Sequence, residues 1–200
     1  GNLISTTKTL RHLLNDILDT TKIEEGQIEI NKKPFDPSEL MRDIEGTFRY
    51  RVEKKGLEFV MEAPANGVLY IGDKVRIKQV LFNLIGNAIK FTDSGFIKLS
   101  LSVLPEDKSK DRLNFSIEDT GIGIDPKDQR RIFEYYEKGK PTEGEELGSG
   151  LGLNISKKIV ELLGGRLQVK SILHKGSVFS FSLMLDKYNQ EKKNTEENHL

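Results

Sequence analysis

The sequence predicts an α/β (α+β) sandwich, in which an antiparallel or mixed sheet is covered by amphipathic helices. Three segments alternate apolar and polar residues with the period of half-buried strands: Phe96 to Val103, Leu113 to Ile117, and Phe179 to Leu183. Two others, Leu40 to Val52 and Ile77 to Ile89, place apolar residues at helical spacing. The alternation indicates that one face of the sheet packs on a core while the other meets water.

The N-terminal segment is predicted to form a separate helix over residues 3 to 24. Leu3, Leu10 and Ile17 repeat every seven residues, as in a helix packed in a coiled-coil-like bundle. So short a repeat suits a helix docked on its own domain equally well. Gly26 is a typical helix stop, so a boundary is expected after residue 26.

Start signals mark the next two helices. Asp36 can cap a helix whose first turn holds Pro37 and Glu39, and Gly56 follows its end. Asp73 can cap the helix that contains Ile77 to Ile89. The short strands expected around these helices are Gln27 to Ile30, Leu57 to Met61 and Val68 to Ile71.

The C-terminal part is predicted to hold two more helices. Asp125 and Pro126 open one that runs to about Tyr136, and Leu151 to Leu163 forms the other. Glu137 to Ser149 has no apolar period and is expected to be a mobile loop. The charged tail from 186 to 200 is expected to be disordered.

Composition excludes several functional classes. Lys and Arg total 31, as do Asp and Glu, so the zero net charge gives no argument for a nucleic-acid partner. The absence of cysteine excludes disulfides, thiolate catalysis and cysteine metal sites. No apolar run approaches the ~20 residues that a membrane-spanning helix needs, and no signal peptide is recognisable. We therefore expect a soluble, cytoplasmic domain.

Four motifs occur in order along the chain: Asn83-Leu-Ile-Gly-Asn87-Ala-Ile-Lys90-Phe-Thr92, Asp119-Thr-Gly121-Ile-Gly123, Gly148-Ser-Gly150-Leu-Gly152-Leu153, and Gly176-Ser177-Val-Phe179. Together they resemble the N box and the three glycine boxes of the sensor histidine kinase ATP-binding domain. The resemblance implies a Bergerat ATP-binding fold, a mixed sheet with helices on one face. It implies three regions: a dimerisation-domain helix at 1–26, a catalytic ATP-binding domain at 27–185, and a tail at 186–200.

In the first motif, Asn83, Asn87 and Lys90 project from neighbouring positions of one helix. Buried amides at these positions could simply bond to neighbouring backbone, and Lys90 could be an ordinary solvated lysine. The resemblance implies instead that Asn87 holds Mg²⁺ through its side-chain oxygen, with nucleotide phosphates completing the oxygen shell. Lys90 would offer its charge to phosphate. Asn87 and Lys90 are thus the predicted catalytic residues, and Asn83 is a predicted ATP-binding residue.

The residue type at position 83 also distinguishes phosphoryl transfer from ATP hydrolysis. In related ATPases of the superfamily a glutamate occupies this position and activates water. An amide cannot take up a proton at neutral pH, so the resemblance indicates phosphoryl transfer rather than hydrolysis. The family's His-Glu-x-x-Thr phosphoacceptor motif is not found in the sequence, and His12 lacks the adjacent acid. Transfer is therefore expected to a histidine outside this chain.

In the second motif, Asp119 ends an apolar strand, where its carboxylate could accept from the amino group of a buried base. The resemblance implies that it reads adenine, while Gly121 and Gly123 let the backbone approach the ligand. An ordinary Asp-Thr-Gly turn is the alternative. The remaining predicted ATP-binding residues are Gly148, Gly150, Leu151 and Gly152, at a helix N-terminus suited to phosphates, and Ser177.

The resemblance implies ATP and Mg²⁺ as cofactors. The partners it implies are the phosphoacceptor histidine domain of the same protein and the receiver domain of a response regulator. A homodimer of the full-length protein is also expected. Two alternatives remain: an ATPase or conformational clamp on the same fold, and a non-catalytic module that binds a nucleotide or a partner. A protein serine kinase of the mitochondrial type shares the fold, but the dimerisation-helix resemblance disfavours it.

Overall fold

The computed structural model describes residues 29–64, 67–129, 131–133 and 151–189. The predicted bundle helix, the loop at 137–149 and the tail beyond residue 189 lie outside the described residues. None of the described helices combines the length and hydrophobicity that a bilayer-spanning segment needs.

The described strands form one mixed sheet, ordered β1-β3-β7-β5-β4-β2, with β6 also paired to β7. Their bounds are β1 Lys33–Phe35, β2 Glu58–Glu62, β3 Tyr70–Gly72, β4 Phe96–Pro105, β5 Lys110–Asp119, β6 Arg166–Ile172 and β7 Gly176–Lys187. The pair β2 and β4 is parallel, and the other pairs are antiparallel.

Helices α1 (Pro37–Lys54), α2 (Lys74–Phe91) and α3 (Leu151–Leu162) pack on one face of this sheet. Both predicted caps form: the Asp36 carboxylate accepts from Ser38 N at 2.7 Å, and the Asp73 carboxylate accepts from Arg76 N at 3.0 Å. These side chains satisfy N–H groups that have no partner within the helix. The predicted sandwich, a mixed sheet with helices on one face, is confirmed.

Strand alternation decides what faces the helices. On β5, Leu113, Phe115 and Ile117 are fully buried, and the Phe115 ring stacks on that of Phe181 at 5.0 Å between centroids. Because side chains alternate along a strand, the same period brings Asp111 and Asp119 onto the buried face at the two ends of β5.

Several elements differ from expectation. Glu29 and Ile30 of the expected first strand have no regular structure, and β1 forms at Lys33–Phe35 instead, because pairing with β3 decides its position. The helix expected from Asp125 is a turn, in which the Asp125 carboxylate accepts from Lys127 N at 3.0 Å. A short 3₁₀ helix, Arg131–Phe133, follows it.

The C-terminal half contains a strand that sequence reasoning missed, β6, although Leu167 and Val169 alternate with polar neighbours. The last strand, β7, runs two residues beyond the expected domain end at 185, because Asp186 and Lys187 pair with β3. The backbone of Tyr188 continues this contact by donating to Leu69 O at 2.8 Å.

Candidate nucleotide-binding site

A cavity of about 450 Å³ opens between α2, the loop after β5, and the start of α3. Its volume lies in the range of small-molecule sites. Of the predicted site residues it is lined by Asn83, Asn87, Lys90, Asp119, Gly123, Gly152 and Ser177. The rest of its wall is apolar: Ala88, Phe91, Ile122, Ile124, Ile132, Leu153 and Phe179. Such a wall suits a flat, weakly polar ring.

Asp119 lies at the inner end of this cavity, only 7% exposed. Its carboxylate accepts a hydrogen bond from the backbone N–H of Gly121 at 2.9 Å, and the backbone N–H of Ser177 lies close to it. Burial raises the pKa of Asp119 above its ordinary value, although these two N–H groups and the nearby Thr92 hydroxyl oppose the rise. The Thr92 hydroxyl faces the carboxylate without meeting hydrogen-bond geometry to any described group. No Lys or Arg among the described residues pairs with Asp119, so the carboxylate can accept from a ligand.

Gly121 has to be glycine for a steric reason. A Cβ at this position would overlap the Phe91 carbonyl and stand 2.8 Å from the Asp119 carboxylate. The loop is fixed on the other side by the C-terminal end of α2, because Ile122 N donates to Phe91 O at 3.1 Å. The second motif is therefore both a tight turn and one wall of the cavity, so its two interpretations are compatible.

Asn83 joins two helices at the edge of the cavity. Its Nδ2 donates to Ser156 Oγ at 2.8 Å, which links α2 to α3. Gly152, in the first turn of α3, lies so close that a Cβ there would stand 2.9 Å from the amide carbon of Asn83. The Asn83 amide was expected to need a hydrogen-bond partner, and a side chain of α3 supplies it.

Asn87 lies one turn further along α2 and lines the cavity. Its amide makes no hydrogen bond to another described residue, so its oxygen is available to a ligand. The described residues contain no group of three or more His, Cys, Asp or Glu side chains that could hold a metal ion. A Mg²⁺ here would need an amide oxygen and the oxygens of a bound phosphate, ligands that this ion accepts. Among the described residues, the site therefore offers an amide oxygen to the metal ion of a bound nucleotide and no cluster of protein ligands.

The cationic side of the cavity is its rim. Lys90 is exposed, and its Nζ stands 5.1 Å from the ring centroid of Phe91. Of the third motif, Gly148 and Gly150 lie outside the described residues, while Leu151 begins α3 and Gly152 lines the cavity. The first turn of α3 therefore lies at this side of the cavity.

Sequence reasoning missed the apolar wall. Ile132, in the 3₁₀ helix, lines the cavity, and the neighbouring Phe133 ring packs edge-on against Phe179 at 6.4 Å between centroids. Asn154 holds this segment in place by donating to Phe133 O at 3.1 Å. The alternation of β7 could have identified Phe179, whereas nothing in the local sequence indicates that Ile132 meets it.

Residues 72–187 match the family model described as histidine kinase-, DNA gyrase B-, and HSP90-like ATPase. The chain belongs to this family. A similar relative is the autoinducer 2 sensor kinase/phosphatase LuxQ of Vibrio parahaemolyticus, 42% identical over 175 residues, which are 86% of this chain and 20% of LuxQ. Another is the aerobic respiration control sensor protein ArcB homolog of Haemophilus influenzae, 38% identical over 78% of this chain and 47% of that protein.

Solved structures show the same relationship. Full-length ShkA in complex with AMPPNP is 30% identical, with a TM-score of 0.78 over 92% of this chain and 37% of ShkA. The catalytic domain of histidine kinase ThkA is 29% identical, with a TM-score of 0.61 over 77% of this chain and 97% of that domain. In sequence and fold the chain corresponds to the ATP-binding catalytic domain of sensor histidine kinases. It spans only about a fifth of LuxQ.

Proposed function

We propose that this domain binds Mg-ATP in the cavity and transfers the γ-phosphoryl group to a histidine outside this chain, as part of a sensor histidine kinase. The observation that carries the proposal is the Asp119 carboxylate, buried at the end of an apolar slot, held by the backbone N–H of Gly121 and paired with no described cation. A buried carboxylate without a counter-ion is costly, and an amino group of a bound base offsets that cost.

Adenine would lie in the apolar slot. Asp119 would accept from its amino group, the tight turn at Gly121 would hold that carboxylate in place, and Ser177 stands beside Asp119 in the register of β5 and β7. A hydrogen bond to a charged acceptor contributes roughly 1.5–3 kcal/mol. This contact is therefore large enough to select the base.

The phosphates would lie between α2 and the N-terminus of α3. Asn87 supplies an oxygen to Mg²⁺, and Lys90 supplies a positive charge at the rim. Leu151 and Gly152, in the first turn of α3, would offer backbone N–H groups to the phosphates. Gly148 and Gly150 of the same motif are proposed to contribute as well. A bound magnesium ion would neutralise the charge that develops on the transferred group, and positioning would provide most of the remaining catalysis.

Asn83 supports transfer over hydrolysis. Its amide is bonded to Ser156 and has no basic lone pair for a water proton. It acts here as the link between the metal-binding helix and α3. Rapid ATP hydrolysis by the isolated chain would contradict this role and favour an ATPase or clamp.

The proposed partners are supported by a similar protein. The ThkA structure is also known in complex with response regulator protein TrrA, and it is 27% identical to this chain with a TM-score of 0.63. We propose that the parent protein of this chain likewise engages a receiver domain, dimerises through its phosphoacceptor bundle and works in the cytoplasm. The segment at 1–26 would be the second helix of that bundle.

Calorimetry with ATP and ADP, with and without magnesium, tests the binding. We expect magnesium to strengthen it, and Asn87→Ala to abolish the magnesium-dependent part. Asn114→Ala, the same change on the opposite face of the sheet, should have no effect. Absence of binding at millimolar nucleotide would refute the proposal.

Transfer is tested by adding a separate histidine-containing phosphoacceptor domain and labelled ATP. The chain alone should remain unlabelled, while the added domain should acquire an acid-labile, base-stable phosphoramidate. Acid-stable labelling, or labelling of the isolated chain that His12→Gln abolishes, would contradict the assignment.

A further inference from the structure

Ser171, on β6, does not line the cavity, yet its hydroxyl contacts three groups around it. The backbone N–H of Ile124 donates to Ser171 Oγ at 2.8 Å. Ser171 Oγ in turn lies 2.9 Å from the carbonyl of Gly176. It also lies 2.9 Å from Ser177 Oγ, and in that pair either hydroxyl could donate. Ile124 and Ser177 both line the cavity.

The direction of the bond between the two serines follows from the number of protons. A hydroxyl has one proton and two lone pairs. The Gly176 carbonyl can only accept, so the bond to it uses the one proton of Ser171. The two lone pairs of Ser171 then accept from Ile124 N–H and from the hydroxyl of Ser177. This is the one arrangement in which all three contacts are hydrogen bonds.

The proton of Ser177 is therefore directed to Ser171, and its lone pairs are left for the cavity. Ser177 is 7% exposed and lies opposite Asp119 in the β5–β7 register. Two acceptors, the Asp119 carboxylate and the Ser177 oxygen, thus stand side by side at the inner end of the cavity. A base with an amino group there satisfies both, while a base with a carbonyl oxygen in that place faces two acceptors.

We propose that Ser171 is a positioning residue that makes Ser177 an acceptor, and that it thereby selects amino-purine over oxo-purine nucleotides. The inference rests on the proposed nucleotide-binding function and adds a specificity determinant to it. Leaving acceptors of a buried site unpaired, or opposed by another acceptor, is how such sites reject a close analogue.

The position of Ser171 is itself fixed by Gln129. Its Nε2 donates to Ser171 O at 2.8 Å and to Ile124 O at 3.2 Å, which uses both amide protons. The loop carrying Gly123 and Ile124 is therefore clamped to β6 at the level of the serine pair. His174 N adds a further bond, to Ile122 O at 2.7 Å.

The test is the ratio of dissociation constants for ITP and ATP, measured by calorimetry on the whole chain. Inosine carries a carbonyl oxygen where adenine carries its amino group. In Ser171→Ala the proton of Ser177 is released and can donate to that oxygen. We expect the ITP-to-ATP ratio to fall by about threefold to tenfold, the effect of one hydrogen bond. Ser171→Thr, which keeps the hydroxyl, should retain the wild-type ratio.

Two further variants test whether the effect of Ser171→Ala comes from the hydrogen bond of Ser177 or from a general disturbance of the structure. Ser180→Ala makes the same change on the other face of β7 and should leave the ratio unaltered. In Ser177→Ala, adding Ser171→Ala should change the ratio no further, because the group that Ser171 orients is gone. If Ser171→Ala does not fold, Ser171→Cys, with a weaker hydrogen-bonding group of similar size, replaces it with the same expected direction.

The outcomes distinguish this inference from the proposed function. If the wild type binds ATP and rejects ITP, but Ser171→Ala weakens both equally, Ser171 is only structural and the inference is overturned. Equal binding of ATP and ITP by the wild type also overturns it, while nucleotide binding stands. Failure of the wild type to bind either nucleotide overturns both.

Discussion

The two ends of β5 carry the same residue in the same orientation, with opposite electrostatics. Asp111 at its start and Asp119 at its end both face the core and are 4% and 7% exposed. Asp111 contacts Lys187 Nζ at 2.8 Å and accepts from Tyr70 Oη at 2.7 Å. Among the described residues, Asp119 accepts a hydrogen bond only from the backbone N–H of Gly121 in its own loop.

The surroundings move the two pKa values in opposite directions. Burial raises the pKa of Asp111, but the bonds from Lys187 and Tyr70 outweigh it and lower the pKa overall. Burial dominates at Asp119 and raises its pKa. At one end of the sheet, the carboxylate of Asp111 is paired with a cation and stabilises the fold. At the other end, the carboxylate of Asp119 has no described cation and is available to a ligand. The difference teaches that the partner, and not burial, separates a structural aspartate from a binding one.

The largest expected effect is at the binding end. Asp119→Asn should weaken ATP and adenosine binding by about tenfold to somewhat over a hundredfold, because a charged acceptor is replaced by an amide. The free energy of unfolding should not fall, since a raised pKa means that the carboxylate opposes folding at neutral pH. Calorimetry and urea titration measure the two quantities. If Asp119→Asn lowered stability but not nucleotide affinity, Asp119 would be a structural aspartate and not a binding one.

Asp111→Asn should have the converse effect. It leaves Lys187 without its charged partner, so the free energy of unfolding should fall by about 1–3 kcal/mol, an estimate reduced because Lys187 is partly exposed. ATP affinity should stay within twofold of the wild type. Urea denaturation measures the free energy of unfolding, and calorimetry on the same preparation measures ATP affinity. Equal losses of affinity in the two aspartate variants would contradict the distinction between a structural and a binding aspartate.

The pH dependence of the two ends should also differ. Because its pKa is raised, Asp119 takes up a proton at a higher pH than an ordinary aspartate does. Adenosine affinity should therefore drop, by up to tenfold per pH unit, while the pH is still above the ordinary pKa of aspartate. The Asp111 contribution to stability is present above the unfolded-state pKa of aspartate and is lost only as pH falls through its lower folded-state pKa. Adenosine, which has no phosphates to titrate, is the ligand to use, and Asp119→Asn should show a flat profile. A wild-type affinity constant down to pH 4 would contradict the raised pKa.

The smallest effect is expected for Tyr70→Phe. It removes one hydrogen bond to Asp111 and keeps the ion pair with Lys187, so the free energy of unfolding should fall by about 1 kcal/mol. Thermal unfolding should detect this loss, while ATP affinity should not change. If Tyr70→Phe lowered the free energy of unfolding more than Asp111→Asn does, the phenol, and not the ion pair, would be the main stabilising contact at this end of β5.

The long elements of the fold and the order of its motifs could be predicted from sequence. Helices α1 and α2 begin at the predicted caps, because capping is a contact between residues two or three positions apart. The alternation in β4, β5 and β7 predicted which face is buried. Of the short elements, β2 and β3 form within two residues of their expected positions, whereas β1 was expected too early and the Asp125 helix is a turn. Pairing with β3 decides the position of β1.

For the site, the sequence by itself determined the residue types: an amide at Asn87, a carboxylate at Asp119 and glycines where backbone must approach. The resemblance of these motifs also predicted the family, which the comparisons confirm. Only the tertiary structure decided the partners, because they come from distant segments: Ser156 for Asn83, Phe179 for Phe133, and Ser171 for Ser177. Sequence determines which group is present, but its partners and solvent exposure, and hence its charge and the direction of its hydrogen bonds, depend on what the fold places around it.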